Sequence, residues 1–130
     1  MSLEAGLVAY LATALPDLTV YPRQLPATPS LPAATYFVVG SVVEHSHAGP
    51  IDMLERRIQI DAYAVSHEMV LDLAADLRAA LDGYAGDWLS VRIGHCLLDN
   101  DFDAAPAELA TRLWRRVQDY LVLCAEVDGS

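Results

Sequence analysis

Residues 55–64 (ERRIQIDAYA) and 113–124 (LWRRVQDYLVLC) alternate side-chain character with a period of two, which strands satisfy and helices do not. In the first segment Ile58, Ile60, Ala62 and Ala64 fall on one side and Arg57, Gln59, Asp61 and Tyr63 on the other. In the second, Val117, Leu121 and Leu123 alternate with Gln118, Tyr120 and Val122, so the side expected to face solvent is itself partly apolar. A sheet of this kind needs cover on both faces, and a chain with few helices has no evident way to supply it. The pattern points to assembly rather than to chemistry.

Composition sharpens that reading. The chain has 130 residues, the length of one ordinary domain, and 54% of them are hydrophobic against 20% charged, which is high for a soluble monomer. No apolar run approaches the roughly 18 residues of a membrane span, so the excess apolar surface is expected to meet protein. The start, MSLEAGLVAYLATAL, lacks a cationic region and carries Glu4, unlike a secretory signal, so synthesis in the cytoplasm is expected. A formal charge of −10 argues against affinity for nucleic acid phosphates. All eight cations are arginine, which removes lysine-dependent chemistry such as Schiff bases and P-loop phosphate binding.

Along the chain, Leu3, Leu7 and Leu11 share a helical face over residues 3–15, with Ser2 as N-cap and Pro16 as the stop. Prolines at 22, 26, 29 and 32 make residues 21–33 an extended polyproline-like connection, either a linker or a docked arm. Residues 34–44 read as the first strand and 54–64 as the second, joined by the turn HSHAGP. Ser66 caps a second helix over about 67–82, where Val70, Leu73, Leu77 and Leu81 form the buried stripe and Gly83 ends it. A third strand spans 88–98, a polar connection 99–112, and a fourth strand follows. The expected fold is a single α+β domain of order α-β-β-α-β-β: a four-stranded, mainly antiparallel sheet with two helices on one face.

Candidate chemistry is sparse. His45 and His47, two apart, could share a face with Glu44 or Asp52 nearby, but a closed zinc site needs about four ligands and a polar hairpin turn is the plainer reading. His67 reads as a surface residue and His95 as a partly buried one. Asp99, Asp101 and Asp103 have the opening spacing of a calcium loop, yet Ala104 stands where its glycine is required and Ala110 where its final Glu belongs. A solvated loop accounts for them. Cys96 and Cys124 lie in apolar segments and read as small hydrophobes rather than as a disulfide, metal ligands or nucleophiles. No nucleophile elbow and no glycine-rich phosphate loop is present, so neither enzymatic activity nor a cofactor is expected. Arg56, Arg57, Arg115 and Arg116 form two paired cations at the starts of the second and fourth strands, where they could line one edge of the sheet and meet acidic residues of a neighbouring subunit, or equally form salt bridges within the chain.

Taken in order, V-Y-P at 20–22, Leu31-Pro32, Y-F-V-V at 36–39, R-I-Q-I-D-A-Y-A at 57–64, L-R-A-A-L-D-G at 77–83 and R-V-Q-D-Y-L-V at 116–122 resemble one family. It is the tail-completion or tail-terminator family of long-tailed bacteriophages, prophages and gene transfer agents, and the resemblance covers nearly the whole chain. The chain departs from it in its proline-rich segment and in the 99–112 connection. The resemblance implies a non-enzymatic virion protein that forms a ring, typically hexameric, at the head-proximal end of the tail tube. Its implied partners are copies of itself, the tail tube protein and the head connector, with DNA passing through the lumen without specific binding and no membrane contact. The residues expected to meet partners are Asp99, Asp101, Phe102, Asp103 and Leu109 of the polar connection and Arg56, Arg115 and Arg116 at strand starts. Tyr63, Tyr120 and Val122, or their alternating neighbours, are expected on the uncovered sheet face. Two alternatives stand beside this reading: another morphogenesis role, such as a head-completion or minor tail protein, and a small-molecule or peptide-binding α+β module.

Overall fold

The computed structural model describes residues 3–44, 54–104 and 113–126. Its elements in chain order are α1 (Leu3–Ala14), β1 (Thr19–Pro22), β2 (Ala33–Glu44), β3 (Leu54–Ala64), α2 (His67–Leu81), β4 (Tyr84–Trp88), β5 (Val91–Ala104) and β6 (Trp114–Glu126). The six strands form one sheet in the order β1-β2-β3-β6-β5-β4. β1 runs parallel to β2 and every other neighbouring pair is antiparallel. The overall class is α+β, and the expected four-stranded, mainly antiparallel sheet is corrected to a six-stranded mixed one.

Both additional strands are short and lie at the sheet margins. β1 is formed where the prolines suggested only an extended connection. Thr19 N–H donates to the Pro32 carbonyl (3.1 Å) and Arg23 N–H to that of Tyr36 (2.9 Å). By alternation Pro22 turns its missing N–H outward, which is where an edge strand tolerates proline. The rest of the arm is tied back by Ser30 N–H donating to the Tyr21 hydroxyl (2.9 Å). β4 comes from YAGDW, a stretch whose glycine and aspartate read as loop. It pairs with β5 through a two-residue turn in which Trp88 faces Val91 and Leu89 takes a left-handed conformation (φ 57°).

α2 is built as its sequence suggests. Ser66 Oγ accepts from Met69 N–H (3.1 Å), and Val70, Leu73, Ala74, Leu77 and Leu81 form its buried stripe. Gly83, at φ 82°, lets the chain turn directly into β4. α1 lies against β4 so closely that a Cβ on Gly6 would come within 2.7 Å of the Trp88 carbonyl oxygen. Leu3, Leu7 and Leu11 of α1 share one core with the α2 stripe and with Ile58, Ile60, Ala62 and Ala64 of β3.

Of the two phases open to β6, the structure takes the one that turns Tyr120 and Val122 toward the helices. Tyr120 lies opposite Ile58 and Gln118 opposite Ile60, and directly opposed residues share a sheet face. Gln118, Tyr120, Val122 and Cys124 therefore point to the helices and are buried, while Leu121 and Leu123 stay half-buried on the other side. A buried glutamine is tolerated because it is satisfied: its Nε2 donates to the Ala74 carbonyl of α2 (2.9 Å) and its Oε1 accepts from the Tyr120 hydroxyl (2.7 Å).

Candidate functional site

The sheet face away from the helices is set by register alone. Four rungs cross β2, β3, β6 and β5 in turn: Val39–Arg57–Leu121–Leu97, Phe37–Gln59–Asp119–Asn100, Thr35–Asp61–Val117–Phe102 and Ala33–Tyr63–Arg115–Ala104. Leu97 is 46% exposed and Phe102 42%, both on β5. The third and fourth rungs are closed toward β2, where Ala33, Thr35, Asp61 and Tyr63 are buried. The apolar surface is therefore concentrated on the β5–β6 half.

Two ion pairs hold this face. Asp61 is nearly buried and accepts from Arg115 through Nε (2.9 Å) and Nη2 (2.7 Å) on one oxygen and from Gln59 Nε2 (2.9 Å) on the other. Arg57 Nη1 donates to Asp99 Oδ2 (2.8 Å). Asp99 can reach Arg57 because the β5 register shifts between Leu98 and Asn100, inserting it as a bulge residue. Asp119 lies between these pairs, and no donor among the described residues hydrogen-bonds it. Its carboxyl is pushed above the usual range chiefly by burial, with Arg57 opposing and Asp99 and Asp61 adding to the rise.

A second polar cluster sits on the helix side, at the N-terminus of α2. Arg116 Nε donates to Asp101 Oδ1 (2.6 Å) and Nη1 to Asp103 Oδ1 (3.0 Å). His67 Nε2 is 3.0 Å from Asp103 Oδ2, and its ring lies 4.7 Å from that of Trp114, which is 48% exposed. The hydrogen bond from Arg116, then that from His67, holds the Asp103 carboxyl below its ordinary range.

At the β1–β2 end, Glu4, Pro22, Arg23, Tyr36, Phe37 and Val38 line an open cleft of about 300 Å³. The Arg23 guanidinium lies 4.7 Å from the centre of the Phe37 ring, a cation–π contact on the open-face side of β2. Arg23 itself has a left-handed backbone (φ 65°).

Several expected placements are corrected here. Asp99, Asp101 and Asp103 belong to β5 rather than to a solvated loop, each bonded to an arginine. Tyr120 and Val122 are core residues on the helix side, and Tyr63, though on the open face, is buried. The paired arginines do not meet along one edge, because β3 and β6 run antiparallel: Arg56 and Arg57 face Val122 and Leu121 at one end, and Arg115 and Arg116 face Tyr63 and Ala62 at the other. Phe102 alone among the expected apolar contacts is exposed on the open face. Leu109, His45 and His47 lie outside the described residues. Leu97, Leu121, Asp119 and Arg23 were missed; the signal that would have found the first three is the alternation of β5 and β6 once the β3–β6 register is known.

Among the described residues no group of three or more His, Cys, Asp and Glu side chains is placed to hold a metal, and no helix is long and apolar enough to cross a membrane. Cys96 and Cys124 are buried free thiols, and burial pushes the Cys96 thiol up to about 12.

No family model and no curated protein matches the chain. Solved structures do match. One is a chain in a structure described as "Virion of native gene transfer agent (GTA) particle", similar at 15% sequence identity and a TM-score of 0.58, over 88% of this chain and 84% of that one. At that identity the likeness is one of fold.

Proposed function

We propose that this chain is a structural virion protein that forms a ring, six subunits around, at the head-proximal end of a phage-type tail tube. There it ends tube polymerisation and joins the tail to the head connector. The observation that carries the reading is the six-stranded fold, similar over most of its length to a chain of a gene transfer agent virion. The half-apolar open face adds to it, since a surface of this kind is characteristic of proteins that bury it in an assembly. Arg57, Arg115 and Arg116 of the sheet are each engaged by aspartates of the same sheet, consistent with a structural rather than a catalytic role, and the reading requires no cofactor. In a ring the formal charge of −10 per chain would make the assembly strongly negative, so that DNA passes without adhering.

The test is a mass measurement in solution combined with electron micrographs of the purified protein, alone and mixed with assembled tail tubes. Rings, or caps at one end of the tubes, are expected. A protein that stays monomeric alone and ignores the tubes abandons the reading. Binding to heads instead of tails replaces it with a head-completion role.

A further inference from the structure

We propose that the β5–β6 half of the open face is the seat for the β1–β2 end of a second copy of this chain, with Arg23 of one copy meeting Asp119 of the next. The inference rests on the ring reading and names the surfaces that would build it.

The sheet edges are poorly suited to joining copies by strand addition. β1 is four residues long. Thr19 and Arg23 turn their N–H groups inward to β2, which leaves only Val20 to donate outward, because Pro22 has no N–H. β4 is five residues long and its register shifts between Tyr84 and Gly86. Short strands, proline and bulges are the devices that keep an edge from pairing with another chain.

The helix layer is no better suited to a copy of the same acidic protein. Glu68, Asp72 and Asp76 follow one another at four-residue spacing along the exposed side of α2, while Arg78 is engaged with Asp82. Two such surfaces repel. On the open face, by contrast, Arg57 and Arg115 are each neutralised by a carboxylate, and Leu97 and Phe102 offer apolar area comparable to that of Met69 and Leu71 on α2 without its row of acidic neighbours.

What selects the occupant is charge complementarity across one rung. Phe37, which carries Arg23 over its ring, and Asp119 belong to the same rung, two strand positions apart. That puts their strands roughly 10 Å apart. Among the described residues no carboxylate forms an ion pair with Arg23, and no N–H or O–H group donates a hydrogen bond to the Asp119 side chain. One cation at one end of the face and one anion on the other half form a head-to-tail pair, the heterologous kind of contact from which rings are built when its rotation closes. Seating the second copy also gives the partly desolvated Asp119 a donor.

Self-association of the full chain is followed by sedimentation for the wild type, Arg23→Glu, Asp119→Arg and the double reversal, with circular dichroism confirming the fold of each. Each single reversal is expected to weaken association about tenfold, and the double to recover most of it. Asp119→Asn, which keeps the side-chain shape, covers the case in which Asp119→Arg does not fold, and is expected to weaken association by a smaller factor. Wild-type association that neither single reversal changes, or a double reversal weaker than both singles, overturns the seat and leaves the ring reading intact. A wild type that only dimerises, with both reversals weakening it, keeps the seat and overturns the ring. A wild type monomeric alone and on tail tubes overturns both.

Discussion

The two faces of the sheet are made by the same strands in alternate positions, yet they solve the problem of polar residues in opposite ways. On the helix side the fully enclosed polar side chain is a neutral amide, Gln118, bonded to α2 and to Tyr120 within an apolar core, while the charged Arg116–Asp101–Asp103 cluster stays partly exposed at the start of α2. On the open side they come as charged pairs, Arg115–Asp61 and Arg57–Asp99, set among apolar residues that stay partly exposed. A neutral amide costs little when every hydrogen bond is made, whereas a buried charge must be paired and still carries a desolvation penalty. The difference marks the first face as finished within the subunit. The second tolerates water and, in the reading above, exchanges it for another subunit.

The strongest way to break this contrast is to weaken the finished face. Leu77 is fully buried in the α2 stripe, and Leu77→Ala is expected to cost about 2–5 kcal/mol of subunit stability. Chemical denaturation measures it; a cost as small as that of a surface change would mean the helix side is not the core.

A smaller loss is expected at Asp61. Asp61→Ala removes the nearly buried carboxylate that accepts from both Arg115 and Gln59, at about 1–3 kcal/mol by the same measurement. If the change stabilised the protein, the open-face pairs would be net unfavourable within the subunit and retained only for assembly.

Leu97→Ser and Phe102→Ser together should change subunit stability by no more than about 0.5 kcal/mol each, because both are among the exposed large hydrophobic residues and lie outside the core cluster. Loss of ring formation with an unchanged denaturation midpoint is the expected pairing. A large drop in the midpoint would make these residues part of the core.

The subtlest difference lies in titration. Asp103, bonded to Arg116 and His67, has a lowered folded pKa. Its contribution to stability is present above the ordinary carboxylate value and is lost as pH falls through the lowered one. Asp119, raised by burial, works the other way: the folded form takes up its proton first, so the subunit gains stability as pH falls from the raised value toward the ordinary one. Carboxyl NMR titration of the free subunit should find Asp119 titrating above Asp103, and the reverse order would remove the distinction.

How much of this was legible depended on how local each cause is. The α2 helix was readable from Ser66 to Gly83 because its cap, its stripe and its stop all act within one turn of the residues that specify them. The burial of Ile58 and Ile60 followed from alternation for the same reason. β1 and β4 were not legible: each is short, contains proline or glycine, and is a strand only because a neighbour offers it hydrogen bonds. The acidic triplet was misread because aspartates favour turns in isolation, and only arginines from β3 and β6 make them acceptable in a strand.

The amino-acid sequence by itself determined the α2 helix, the alternation of β3, and that the chain is acidic and rich in apolar residues. Those properties follow from composition and short-range periodicity. Which side of β6 faces the helices was decided by tertiary structure, because both of its faces are partly apolar and a one-residue change of phase exchanges them. The antiparallel register that sets Tyr120 against Ile58 fixed that phase. The same register sent Arg57 and Arg115 to opposite ends of the open face and left Asp119 between them, a placement that arises from pairing between distant segments and has no counterpart in local pattern.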